Sequence, residues 1–129
     1  MKRPKLGKLE LRILEALWAN GRASMREIQE AFPEPRPAYT TITTTVYRME
    51  AKHAVRRVRK IGNAHIFEPL LTRASVYRRL IDDLLDLFGG SPEPVMQHLV
   101  ESGKLSLADI RAAEKALGQL GKERLGKKP

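Results

Sequence analysis

No cysteine occurs in the 129 residues, which excludes a disulfide framework, a thiolate metal site and a thiol nucleophile. A reducing cytoplasm is the natural setting. No apolar run approaches the roughly 20 residues that a membrane span requires, and no signal-like apolar stretch follows the basic start Met1-Lys2-Arg3-Pro4-Lys5. Neither export nor membrane insertion is expected. Catalytic patterns are missing too: there is no HExxH, no phosphate-cradling glycine loop and no G-x-S-x-G elbow. His53, His65 and His98 fall on separate elements without paired ligand spacing. Asp82, Asp83 and Asp86 read as a solvated acidic helix face, or as partners of Arg78 and Arg79, before they read as a metal site. No enzyme activity, metal or other cofactor is expected. Internal repeats and low-complexity tracts are also lacking.

What is present is positive charge. Residues 1–71 carry 14 basic and 7 acidic side chains and residues 72–129 carry 10 and 8, for a net +9 overall. A polyanionic partner is implied, and the first half should meet it.

Leu6, Leu9, Ile13, Leu14, Leu17 and Trp18 recur at spacings of three and four, as on an amphipathic helix that Asn20-Gly21 stops. Ser24 with Glu27 forms a capping-box pattern for a second helix, whose apolar face is Met25, Ile28 and Phe32. Pro33, Pro35 and Pro37 then form a stiff loop. Residues 38–52 contain five threonines, yet the spacing predicts a helix. At about 100° per residue, Tyr39, Ile42, Val46 and Met49 share one arc, and Thr40, Thr41, Thr43, Thr44, Tyr47 and Arg48 the opposite one. Residues 55–60 and 64–68, joined through Gly62-Asn63, read as a β-hairpin. Helix, helix, helix, hairpin is the order of a winged helix-turn-helix. The fold expected is mainly α with a small β-hairpin, a winged head over 1–71 and a helical dimerisation region over 72–129.

In that second region Thr72, Ser91-Pro92 and Ser106 with Asp109 open three helices, which end at Gly89-Gly90, at Ser102-Gly103 and near Leu120-Gly121. A frayed tail is expected from Gly126 to Pro129. The apolar positions Tyr77, Leu80, Ile81, Leu84, Leu85, Leu87 and Phe88, with Val95, Met96, Leu99, Val100, Ile110 and Leu117, are too many for a free-standing tail. Self-association would cover them; packing on the same chain's head is the alternative.

The hydroxyl arc of the third helix is the candidate for base reading: Thr offers a hydrogen bond or a methyl to a base edge, and Arg48 reaches guanine or phosphate. Arg56, Arg57, Arg59 and Lys60, with Asn63 at the tip, make the hairpin a candidate wing on phosphates or in the minor groove. Tyr39 is a candidate phosphate donor or a core-edge residue. A solvated polar face and an ordinary β-ribbon remain alternative readings of these patches. At the level of function, a sequence-indifferent architectural DNA binder and a winged-helix protein-interaction module stand beside a sequence-specific repressor.

Several segments together resemble the penicillinase-repressor (BlaI/MecI/CopY) family. They are Leu6-Gly7-Lys8-Leu9-Glu10, residues 13–18, Tyr39-Thr40-Thr41, residues 44–49, Gly62-Asn63-Ala64, Phe67-Glu68-Pro69 and residues 87–91. The resemblance implies a homodimeric repressor with winged heads on pseudo-palindromic double-stranded operators and interlocked helical tails. In relatives that control β-lactam resistance, it further implies a membrane sensor metalloprotease and release by cleavage in the dimerisation region. The cut bond aligns with His98-Leu99, where those relatives have Asn-Phe. Copper-responsive relatives use C-terminal cysteines, so that mode is not implied here. His53 stands where relatives carry glycine, a left-handed backbone position.

Overall fold

The computed structural model describes residues 6–126. The basic Met1–Lys5 start and the last three residues of the expected tail lie outside them. Nine elements follow in order: α1 (Lys8–Asn20), β1 (Ala23–Ser24), α2 (Met25–Glu30), α3 (Tyr39–Ala51), β2 (Val55–Ile61), β3 (Ala64–Pro69), α4 (Arg73–Leu87), α5 (Glu93–Glu101) and α6 (Leu107–Gly126). The expected fold class, helical with a winged head and a C-terminal helical region, is the one observed. Two compact units divide it, one ending at Leu80 and the other starting at Ile81.

The first unit is built on one apolar core. Ile13, Leu14 and Leu17 from α1, Ile28 from α2, Ile42, Val46 and Met49 from α3, and Phe67 from β3 are fully buried. Phe32 is buried as expected, but from a turn, because α2 ends two residues before it. Arg36 holds that turn: its guanidinium donates to the carbonyls of Phe32 (2.8 Å) and Glu30 (3.3 Å).

The sheet has the order β1-β3-β2, all antiparallel. Its third strand, β1, was not expected from sequence. It has two residues, Ala23 opposite Phe67 and Ser24 opposite Ile66, so it exists through long-range pairing and not through local periodicity. A bulge between Arg57 and Arg59 interrupts the β2–β3 register; such an extra residue re-aims the side chains around it.

The starts of α2 and α6 follow the polar signals in the sequence. Ser24 Oγ accepts from the Glu27 amide and the Glu27 carboxylate accepts from the Ser24 amide. Ser106 and Asp109 repeat this reciprocal pair at α6, where the Ser106 amide, and after it the Ser106 hydroxyl, holds the Asp109 carboxyl below its usual range. Glu10 has two roles. Its Oε1 accepts from the Gly7 amide at 2.8 Å, satisfying an orphan donor of α1, and its Oε2 lies 3.0 Å from Lys52 Nζ beyond the end of α3. This buried carboxylate therefore ties the start of α1 to the end of α3.

Trp18 secures the root of α4. Its Nε1 donates to the Leu71 carbonyl at 2.8 Å, Arg73 lies over its ring, and Tyr77 meets it edge-on at 6.1 Å. Val76 is buried and Leu80 packs on the edge of the same core.

The second unit contains the rest of α4, α5 and α6. Here α6 runs to Gly126, past the expected stop near Leu120-Gly121, because a glycine costs a helix only about 1 kcal/mol when helix formers follow it. No helix among the described residues is long and apolar enough to cross a membrane.

His53 occupies the left-handed region at φ 63. Its amide donates to the Glu50 carbonyl and the next amide, of Ala54, to the Met49 carbonyl, which is the double bond pattern that ends a helix on a left-handed residue. A Cβ is costly there, by about 1 kcal/mol. His53→Gly is expected to raise the unfolding free energy by up to about 1 kcal/mol in denaturant titration without altering the loop into the hairpin.

Candidate nucleic-acid interface

Seven consecutive β-branched residues, Thr40 to Val46, make α3 a poor helix by local preference, at a cost of about 3–4 kcal/mol relative to good helix formers. Burial of Ile42, Val46 and Met49 contributes roughly 2 kcal/mol each. Packing therefore outweighs propensity and fixes which arc turns outward. Thr40, Thr41, Thr44, Tyr47 and Arg48 are exposed, and Thr43 is half-buried with its hydroxyl donating to the Thr40 carbonyl. Thr45, the fifth threonine, is buried and donates to the Thr41 carbonyl at 2.7 Å. Tyr39, placed by spacing on the apolar arc, is 42% exposed at its edge, with the Arg26 guanidinium 5.7 Å over its ring. Among the described residues no side chain caps the start of α3, so its first-turn amides and the positive end of its dipole face no capping group there.

The wing lies beside this arc, and its four cations divide into two pairs. Arg56 is bound to Glu68, its cross-strand partner. Arg57 is bound to Glu50 of α3 at 3.0 Å and lies over the rings of Tyr47 and Phe67. Arg59 and Lys60 are exposed and have no ionic partner among the described residues, as does Arg48. Asn63 is exposed at the hairpin tip, next to Gly62 at φ 60. Between α2, the start of α3 and the wing lies a groove of about 370 Å³, lined by Arg26, Tyr39, Tyr47, Asn63 and His65 among others. Arg26 was not among the expected contacts. The signal was available, because the Met25 and Ile28 spacing turns Arg26 outward at the first turn of α2.

Among the described residues, no group of three or more His, Asp or Glu side chains is placed to hold a metal ion. Asp82, Asp83 and Asp86 are exposed.

The expected dimerisation residues divide between the two units. Tyr77 and Leu80 belong to the first, where both meet the core or its edge. Ile81, Leu84 and Leu87 on α4, Phe88 in the turn that follows it, Met96 on α5, and Ile110 and Leu117 on α6 are exposed; Val95 and Leu99 are half-buried. His98 is exposed and the His98-Leu99 bond lies inside α5, none of whose residues is buried.

A helix-turn-helix of α2 and α3 flanked by a basic hairpin defines the winged-helix class. Residues 6–119 match the family model described as Penicillinase repressor. The chain is also 31% identical over 120 residues to the transcriptional regulator BlaI of Mycobacterium tuberculosis, in strains CDC 1551 / Oshkosh and ATCC 25618 / H37Rv. The match spans 90% of this chain and 85% of the relative. The protein belongs to the penicillinase-repressor family, as its sequence segments indicated. It is a DNA-binding transcriptional repressor and not an enzyme.

If Arg59 and Lys60 each neutralise one phosphate, replacing both with Ala should flatten the slope of log affinity against log salt by about 1.8. Fluorescence titrations of duplex DNA over a salt series measure this slope; an unchanged slope removes both residues from the interface.

Proposed function

We propose that the protein acts as a homodimer on pseudo-palindromic operators in the cytoplasm, blocking transcription by covering the promoter. The observation that carries this reading is the outward arc of Thr40, Thr41, Thr44, Tyr47 and Arg48, flanked by Arg59 and Lys60, which have no ionic partner among the described residues. Short hydroxyls let the α3 backbone approach the floor of the major groove, while Arg48 supplies the charged donor for a guanine or a phosphate. Arg59 and Lys60 then add affinity and orientation without reading sequence.

Dimerisation answers a second observation. Leu87 and Leu117 keep 79% and 70% of their surface exposed in the single chain, and Ile81, Leu84 and Met96 are exposed with them. A two-fold partner would cover these faces and place two recognition helices one helical turn, or a multiple of it, apart.

Release by a membrane sensor metalloprotease, which the resemblance implies, enters this reading as a cut at His98-Leu99. A protease needs extended substrate, and α5, with no buried residue, can unwind locally at small cost.

Sequencing the duplexes that the protein retains from a randomised pool at physiological salt tests the reading; a single pseudo-palindromic motif is expected. Arg48→Ala should reduce preference for that duplex over a scrambled one by about 1–3 kcal/mol in gel-shift titration. Leu84→Asp should sediment as monomer and bind the selected duplex on the order of 100-fold more weakly, since a lone head grips half a site. An undisturbed dimer would reject that placement of the interface.

A further inference from the structure

Arg57 differs from the other wing cations in where its charge goes. It leaves β2 opposite Phe67, a fully buried core residue, and its guanidinium lies 5.4 Å over that ring. The same guanidinium lies 5.7 Å over the ring of Tyr47 and 3.0 Å from the carboxylate of Glu50. Tyr47 and Glu50 are three positions apart on α3 and so share one face of that helix. A planar, fork-shaped cation is suited to this arrangement: its faces stack on rings while its edge donates to a carboxylate. One side chain of the wing thus holds the last turns of the recognition helix at two points and rests on the core at a third.

We propose that Arg57 is a positioning residue. It sets the wing against α3 and orients Tyr47, and it does not itself bind phosphate. The proposal rests on reading this face as the DNA interface. Its consequence is that Glu50, an acidic residue on a DNA-binding helix, assists selective binding.

Charge alone predicts the opposite. Glu50→Gln removes a negative charge near DNA and frees Arg57, so simple electrostatics expects tighter binding on every duplex. The positioning role expects a loss of selectivity. The test compares the duplex that the wild-type protein enriches from a randomised pool with a scrambled duplex, both at physiological salt, with thermal melting of each variant as a folding control. Glu50→Gln is expected to lower the preference for the selected duplex by about tenfold, while affinity for the scrambled duplex holds or rises. Arg57→Lys keeps the charge but loses the stacking plane, and should lose the same preference. The double variant should be no worse than either single variant, the mark of one shared interaction. Wild-type preference in Glu50→Gln or in Arg57→Lys overturns the proposal, as does an additive double variant. A pool from which the wild-type protein enriches nothing overturns the reading of the face itself, before any variant is made.

Discussion

The structure depends on holding seven β-branched residues in a helix that their own preferences disfavour. Ile42, Val46 and Met49 do this by packing into one core with Ile13, Leu14, Leu17, Ile28 and Phe67. The same threonines that weaken the helix are short enough to let its backbone come close to another surface. Function and local stability therefore pull against each other along this segment, and the core resolves the conflict. Thr45 shows the compromise within one residue: it faces inward, and its hydroxyl is satisfied by the Thr41 carbonyl one turn back.

Polar contacts around the head mostly serve geometry. Glu10 joins α1 to the end of α3, Arg36 fastens the proline loop that leads into α3, and Trp18 anchors the segment entering α4. Within the hairpin, Arg56 and Arg57 have carboxylate partners, and among the described residues Arg59 and Lys60 have none. The bulge separates the two pairs. A net charge of +9 thus overstates the cations free to meet a polyanion and says nothing of where they lie.

Most of the head was legible because its signals are local. Three-and-four spacing marked α1 and α3, and Ser24 with Glu27 marked the start of α2. Gly62-Asn63 marked the hairpin tip. What could not be read depends on distant pairing. The strand β1 exists only because Phe67 and Ile66 come to lie opposite Ala23 and Ser24. The Arg57 partner Glu50 is seven residues away in sequence, on another element, and no periodicity links the two. Tyr39 sits at the border between arcs, where an angle of 100° per residue does not decide burial. At α6, Gly121 has the look of a stop by local rule, although Lys122 and Glu123 beyond it sustain the helix.

The chain has one tryptophan, and its place is informative. Trp18 is half-buried where the head gives way to α4, hydrogen-bonded to the Leu71 carbonyl, under Arg73 and against Tyr77. An indole so placed is an intrinsic optical reporter. Its emission colour and quenching follow the state of that junction, without any label attached to α3 or the hairpin.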